Sequence, residues 1–337
     1  MRAVGYKSPQ AIEHPEALVD IDLPKPGATG RDLLVEIRAI AVNPVDTKVR
    51  QRGGAADGGW RVLGWDAAGI VAEVGPEVTG FRPGDAIFYA GALERQGTNA
   101  EFHLVDERIV GRKPESVSFA EAAALPLTAI TAWEGLFDRL NVGRAVPGVP
   151  PMILIIGGAG GVASIAIQLA KRLTDLTVIG TASRPETAEW VRALGADHVV
   201  NHARPLAGEV AALGLGAPGF VYSTTQTDKH LAAIGDLIAP QGRFVLIDDP
   251  GPLDISLFKR KSVSTHWEFM YTRSMFGTAD MAEQGALLGE VARLVDEGAI
   301  RTTMGAHYGS ITAENLRRAH AMLESGRAVG KIVLEGF

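Results

Sequence analysis

Five apolar residues, Met152 to Ile156, run straight into a glycine cluster at Gly157, Gly158, Gly160 and Gly161, and this segment constrains the chain more than any other. Isoleucine and leucine side by side, with no polar break, suit a strand buried on both faces. The apolar-periodic stretch Val162 to Leu173 that follows suits a helix. Strand, glycine turn and helix together form the context in which Gly-x-Gly-x-x-Gly/Ala marks a dinucleotide site. Gly158 is expected to permit the tight turn, and Gly160 to let a pyrophosphate approach the backbone. Ala163 takes the third position, where a small residue lets helix and strand pack closely. The phosphates are then expected at the helix N-terminus, beside Gly161 and Val162, where backbone N–H groups and the helix dipole favour anions. Outside that context the same glycines would be an ordinary turn.

A chain of 337 residues exceeds one ordinary core and implies two domains. Apolar residues make up 46% and charged residues 21%, a globular balance rather than a disordered one. The net charge of −6, with no dense Lys/Arg cluster, argues against a nucleic-acid partner. The sequence contains no cysteine, which removes disulfides, a thiol nucleophile and cysteine-ligated metals from consideration. The opening MRAVGYKSPQ lacks the apolar core of a signal peptide, and no run approaches the ~20 apolar residues of a membrane span. The expectation is a cytoplasmic protein with no membrane partner.

Before residue 125 the signals are those of short strands and glycine turns. Leu33–Ala41 alternates, with Leu33, Val35, Ile37 and Ala39 on one side. Gly69–Val74, Ala86–Tyr89 and Glu101–Val105 read as further strands, with a Pro-Gly turn at Phe81–Asp85. From 119 the period becomes helical, interrupted by Pro126. Beyond 150 strands at 152–156, 177–181, 198–201, 219–223 and 243–247 alternate with helices at 185–194, 206–213 and 228–238. That alternation implies a doubly wound parallel sheet. Helices at 281–297 and 312–325 follow, and 328–335 is once more a strand. The expected fold class is α/β: residues 126–302 as a Rossmann domain, inserted in a β-rich domain of residues 1–125 and 303–337.

Several segments carry a resemblance: AVNPVDTK (41–48), LGWDAAGIVAEVG (63–75), FRPGDAIF (81–88), ALPLTAITAWEGL (124–136), the glycine turn and GKIVLEGF (330–337). In order and spacing the chain resembles a zinc-free member of the medium-chain dehydrogenase/reductase superfamily, of the quinone oxidoreductase branch. The resemblance covers essentially the full length. It implies a GroES-like β-barrel catalytic domain joined to the Rossmann domain, with cofactor and substrate meeting in the cleft between them.

Zinc members of this superfamily hold their metal with a cysteine, a histidine and a second cysteine or aspartate. Laid over this sequence, those places fall at Asn43, Trp65 and near Leu127, none of which is a strong zinc ligand. The four-cysteine structural loop has no counterpart. The eight histidines, His202 and His230 among them, show no close ligand spacing. Hydride addition to a simple ketone develops a localised alkoxide, which zinc stabilises. Without metal, the substrate is expected to spread that charge itself, as quinones and α,β-unsaturated carbonyls do.

An NAD-type Rossmann unit places an acid at the end of its second strand. Here that place falls at Ala182, followed by Ser183 and Arg184, which can donate a hydroxyl and a charged fork to a 2′-phosphate. NADPH is therefore the expected cofactor. The competing account has Ser183 capping the helix that opens at Pro185 while Arg184 faces water. Thr131 matches the threonine that contacts the nicotinamide in this superfamily. Thr224 and Ile247 to Asp248 are strand-end residues expected to line the cofactor, because ligands in such sheets lie outside the strand C-termini. Lys331 matches a basic residue that returns near the cofactor in relatives.

On the substrate side the resemblance puts Asn43 at the cleft floor, with Asp46 nearby; the pair equally suits a structural turn beside proline. Trp65 is read either as an apolar wall for a flat acceptor or as a core tryptophan. Tyr89 is a candidate proton source, with solvent as the other. The leading reading is an NADPH-dependent reductase of quinones or enones. A zinc-type alcohol dehydrogenase and a non-catalytic, crystallin-like NADPH-binding protein are the alternatives. The alternation in Ser262–Phe269 suits an exposed edge strand and a homodimer built through it.

Overall fold

The computed structural model describes residues 1–55 and 58–337. Two compact units result, one from Met1–Ile130 with Tyr271–Phe337, the other from Thr131–Met270.

The first unit opens with β1 (Arg2–Tyr6), β2 (Val19–Asp22), β3 (Asp32–Val42), β4 (Arg61–Val62), β5 (Ala67–Val74), β6 (Ala86–Tyr89), β7 (Phe102–Asp106) and β8 (Val110–Arg112). The second unit holds β9 (Met152–Ile156), β10 (Thr177–Thr181), β11 (His198–Val200), β12 (Phe220–Ser223), β13 (Arg243–Leu246) and β14 (Ser264–Trp267). The chain then returns to the first unit with β15 (Met304–His307) and β16 (Lys331–Glu335).

In the first unit β2-β1-β4 form a small sheet, and β15-β16-β3-β5-β6-β8 a larger one, with β7 also on β3. Strand β3 organises the larger sheet. Glu36 and Arg38 turn outward between buried neighbours, as alternation requires, but Ala39 to Val42 are buried on both faces. The register against β5 shifts between Ile37 and Ala39, where the pattern changes.

Pro44–Arg52 is a helix, where the sequence suggested only a turn. Its composition is too polar to show an apolar face. The helix start is set locally instead: Pro44 occupies the first helical position, and Asp46 reaches back to accept the Asn43 N–H at 2.6 Å. Pro126 likewise starts a helix, Pro126–Trp133, which continues as a π-turn over Glu134–Arg139.

The domain boundary also moves from its expected place at 302. The helix Glu283–Asp296 packs on β8 and the short turn Glu107–Ile109, and so belongs to the first unit. Gly285 lies so close to that turn that a Cβ would come within 2.7 Å of the Arg108 carbonyl oxygen.

The second unit is one parallel sheet in the order β11-β10-β9-β12-β13-β14. Every residue of β9 is buried, as its unbroken apolar run requires. Leu154, Ile179, Val221, Ile234 and Phe244 share its core. The order reverses at β9, which places the glycine turn at the crevice where such sheets take ligands. Among the described residues no helix is long and apolar enough to cross a membrane.

Candidate active site

The glycine turn is held from below. Gly157 N–H donates to Thr181 Oγ1 at 3.0 Å, and Gly158 N–H donates to the Thr181 carbonyl at 3.0 Å. The left-handed residue is Gly157, at φ +84°, rather than Gly158. A Cβ on Gly157 would meet Thr224 Oγ1 at 2.5 Å. Gly158 is needed for space instead, since a Cβ there would lie 2.8 Å from the Thr181 carbonyl. Gly160 caps the helix Gly161–Leu173, and Ala163 is fully buried against the sheet. The first N–H groups of that helix, at Gly161 and Val162, have no acceptor within it, the condition under which a helix N-terminus holds an anion.

The strand-end residues are spent unequally. Thr224 turns its hydroxyl back onto the Ile156 carbonyl at 2.7 Å. Asp248 accepts from both Thr227 N and Thr227 Oγ1, at 2.9 and 2.5 Å, and so anchors the helix Thr227–Leu237. Ile247 is half-buried beside it. Thr131 is buried, its carbonyl accepting the Tyr222 hydroxyl at 2.7 Å. Ser183 is exposed and does not cap the next helix. Arg184 takes the cap position, with Thr187 Oγ1 accepting its N–H at 3.2 Å. The Arg184 side chain is partly exposed and lies 3.1 Å from Glu186. Ala182 is buried, with no carboxylate at the ribose position.

In the first unit the structure gathers Asn43, Asp46 and Lys331 around Asp66, a residue the sequence did not single out. Asn43 Nδ2 donates to Asp66 Oδ2 at 2.8 Å, and Leu127 N–H donates to Asp66 Oδ1 at 2.7 Å. Lys331 Nζ lies 2.9 Å from Asp66 Oδ2, donates to the Val42 carbonyl at 2.8 Å, and also donates to Asn43 Oδ1. An ammonium has three N–H bonds, and these three acceptors use them all. Lys331 is thus a buried member of the Asn43 group, with no donor left for a cofactor. Asn43 is spent as well, its Oδ1 taken by Lys331 and its Nδ2 by Asp66 and, at 3.4 Å, Ala41 O. Asn43 therefore has no free donor to offer a developing oxyanion at the cleft floor, where the resemblance puts it.

Burial pushes both aspartates up. Asp46 reaches about 7, the N–H groups of Asn43 and Gly64 and the Lys331 charge holding it back from going higher. Asp66 is raised by the same burial and restrained chiefly by Lys331 and Asn43. Sequence could have flagged Asp66 only through its buried setting after Gly-Trp, since its partners come from remote parts of the chain.

The remaining candidates are enclosed. Trp65 is 1% exposed, its indole N–H donating to the Ala92 carbonyl at 3.2 Å and its ring edge-on to Tyr271, with centroids 6.4 Å apart. The core account of Trp65 therefore fits the geometry. Tyr89 is fully buried, with its hydroxyl 3.0 Å from His103 Nδ1. His103 Nε2 faces the Gln96 carbonyl at 2.9 Å, which can only accept, so Nε2 carries the ring proton and Nδ1 accepts from Tyr89. Burial holds the Tyr89 phenol well above its ordinary value. Its proton is committed inside the unit, and Tyr89 is not placed to act as the acid.

A parallel six-stranded sheet with a glycine turn at its centre, in one chain with a mainly antiparallel β unit, is the architecture of a nucleotide-dependent dehydrogenase or reductase. The family models for the alcohol dehydrogenase GroES-like domain and for zinc-binding dehydrogenase match residues 29–133 and 194–334. A zinc-type alcohol dehydrogenase-like protein of Staphylococcus aureus is 39% identical over 99% of both chains. A structure from Rhizobium etli, described as a zinc-dependent alcohol dehydrogenase, is 65% identical with a TM-score of 0.99, covering 100% of this chain and 98% of that one. An NADPH-dependent alkenal/one oxidoreductase of Arabidopsis thaliana is 37% identical over 51% of this chain and 45% of its own length. The chain belongs to the medium-chain dehydrogenase/reductase family of oxidoreductases, among the zinc-type alcohol dehydrogenase-like proteins.

The zinc in those names does not fit the residues here. An amide already bonded on both ends, a buried indole and a leucine stand at the ligand places, and the Lys331 ammonium lies against Asn43 and Asp66. A cation would meet a fixed positive charge, and the chain has no thiolate to offer it. Among the described residues no group of three or more His, Cys, Asp and Glu side chains is arranged to hold a metal.

Proposed function

We propose that this oxidoreductase is an NADPH-dependent reductase of quinones or α,β-unsaturated carbonyls that works without a metal. The observation that carries the reading is the pairing of a complete phosphate turn at Gly157–Gly161 with Ala182, Ser183 and Arg184 at the ribose position. Ala182 puts no carboxylate at the end of β10, and a hydroxyl and a guanidinium, the latter 3.1 Å from Glu186, stand in its place. The NADPH-dependent alkenal/one relative supports the same cofactor and acceptor class.

Bound NADPH supplies a hydride. The N-terminal N–H groups of the helix Gly161–Leu173 would hold its pyrophosphate, and Gly160 would leave room for it. Thr131, Thr224 and Ile247 are the remaining cofactor contacts in this reading. In a conjugated acceptor the hydride adds at one end and the electron pair comes to rest on oxygen at the other. The charge is spread over the conjugated system, so no Lewis acid is required. With Asn43 and Tyr89 both committed elsewhere, water is the proton source in this reading. A homodimer joined along β14, in the cytoplasm, completes the proposal.

Cofactor oxidation by the purified protein against quinones, enones, aldehydes and simple ketones tests it. Conjugated acceptors should turn over fastest with NADPH, and EDTA should leave that rate intact. Faster oxidation of simple alcohols with NADP⁺, lost on chelation, would sink the reading.

A further inference from the structure

The second unit holds a pair of imidazoles that the reading above does not use. His202 follows β11 and His230 lies on the helix Thr227–Leu237; their rings meet edge to face, 6.2 Å apart at 69°. Both are about half-buried.

Two hydrogen bonds place His202 at the ribose end of the dinucleotide crevice. Ala182 N–H, at the position that reads the 2′ group in this fold, donates to the Val200 carbonyl at 3.0 Å, two residues before His202. Thr181, one residue before Ala182, has its Oγ1 2.9 Å from His202 Nδ1. Thr181 Oγ1 already accepts from Gly157 N–H, so its own proton is available to His202 Nδ1. The neutral ring then carries its proton on Nε2, turned away from Thr181. The chain of contacts runs from the phosphate turn through Thr181 to this imidazole.

We propose that His202 is a specificity-determining residue of the dinucleotide site: protonated, it pairs with the 2′-phosphate of NADPH, so that preference for NADPH over NADH rises as pH falls through neutrality. The inference rests on the NADPH reading. With no anion present, burial and the neighbouring His230 hold His202 below its ordinary value, so it is neutral near pH 7. His230 is lowered by burial and by Lys229, against Asp228 and Asp248. The other charges on neighbouring elements are occupied: Arg184 meets Glu186, and Arg204 meets Glu209. Of all these groups His230 is the one that bears on His202. A 2′-phosphate carries close to two negative charges above its second pKa of about 6, and would draw a proton onto the ring.

The sign follows from linkage. NADPH binding takes up a proton between the free and the bound pKa of His202, so affinity falls as pH rises through that interval. The phosphate's own ionisation acts the other way, but only near and below pH ~6. NADH, lacking the phosphate, should show neither effect.

Calorimetric titration of the purified protein with NADPH and with NADH from pH 6.5 to 8.5 tests this. NADPH Kd should rise severalfold across the range, short of the tenfold ceiling set by a ring that binds its proton about tenfold more tightly, because the free ring is already more than half neutral at pH 6.5, while NADH stays level. His202→Gln should flatten the NADPH slope. His230→Gln, which removes the repelling neighbour and leaves Thr181 in place, should move the slope to higher pH. A constant NADPH preference at every pH, or an unchanged slope in His202→Gln, overturns the inference and leaves the NADPH reading standing. Equal affinity for the two cofactors at every pH overturns both.

Discussion

Lys331 Nζ and Asp66 Oδ2 stand 2.9 Å apart, with side chains only 3% and 0% exposed. Two charges removed this far from water are tolerable only together. Burying each alone costs several kcal/mol, and their attraction and shared hydrogen bonds offset that cost. Removing one partner strands the other. Lys331→Met should lower stability by about 3–5 kcal/mol in urea unfolding. The double variant Lys331→Met/Asp66→Asn should recover a good part of that loss. An unchanged midpoint in the single variant would show that the pair carries no such weight.

Asp46 gives stability an unusual pH term. Burial raises its carboxyl from 3.8 to about 7. The folded state therefore holds this proton more tightly than the unfolded state, and the term weakens the protein as pH rises from about 4 to 7. Asp46→Asn keeps an acceptor for the Asn43 N–H but cannot ionise. The variant should gain on the parent by about 1.4 kcal/mol per pH unit across that interval, then hold a constant lead above it. Denaturant titrations at pH 5, 6, 7 and 8 read this directly. A gap that is flat with pH would place the Asp46 titration elsewhere.

Arg184 is where cofactor choice is read most simply. Losing one charge-assisted hydrogen bond costs roughly 1.5–3 kcal/mol, so Arg184→Ala should weaken NADPH by about 10- to 150-fold. NADH affinity should barely move. Equal losses for both cofactors would remove Arg184 from the 2′-phosphate site.

Among the described residues the edge strand β14 pairs with β13 alone, and Trp267 at its end is 56% exposed. A second copy pairing there would extend the sheet across a two-fold axis and cover that indole. Light scattering at micromolar concentration should report a dimer, and Trp267→Glu should shift it toward monomer. A monomeric parent protein would refute the arrangement.

What was legible in the sequence was local. Strands β6, β9 and β10 lie where apolar runs and flanking turns put them, because a buried strand writes its environment into consecutive residues. The helix Pro44–Arg52 escaped because its hold is a cap and a proline rather than an apolar face, although Asn-Pro-x-Asp is itself a start signal. The glycine turn was legible as a whole but not in its division of labour, since which glycine takes φ +84° depends on what Thr224 occupies. The Asp66 group was the least legible. Its members come from the start of the helix Pro44–Arg52, from β16, from the segment before β5 and from the helix Pro126–Trp133, and nothing in any one of those stretches signals the others. His202 was visible only as one histidine among eight until Thr181 fixed its place.

The second unit is one uninterrupted stretch of chain, Thr131–Met270, and it is fastened near both of its ends. The Tyr222 hydroxyl holds the Thr131 carbonyl at the start, and Arg139 Nε holds Glu268 at 2.9 Å close to the finish. Crossover points at 130/131 and 270/271 would sever none of its six strands, although the first falls inside the helix Pro126–Trp133. An exchange of this stretch between relatives would therefore carry the whole parallel sheet and its glycine turn across as one piece, and leave the other unit's sequence as it was.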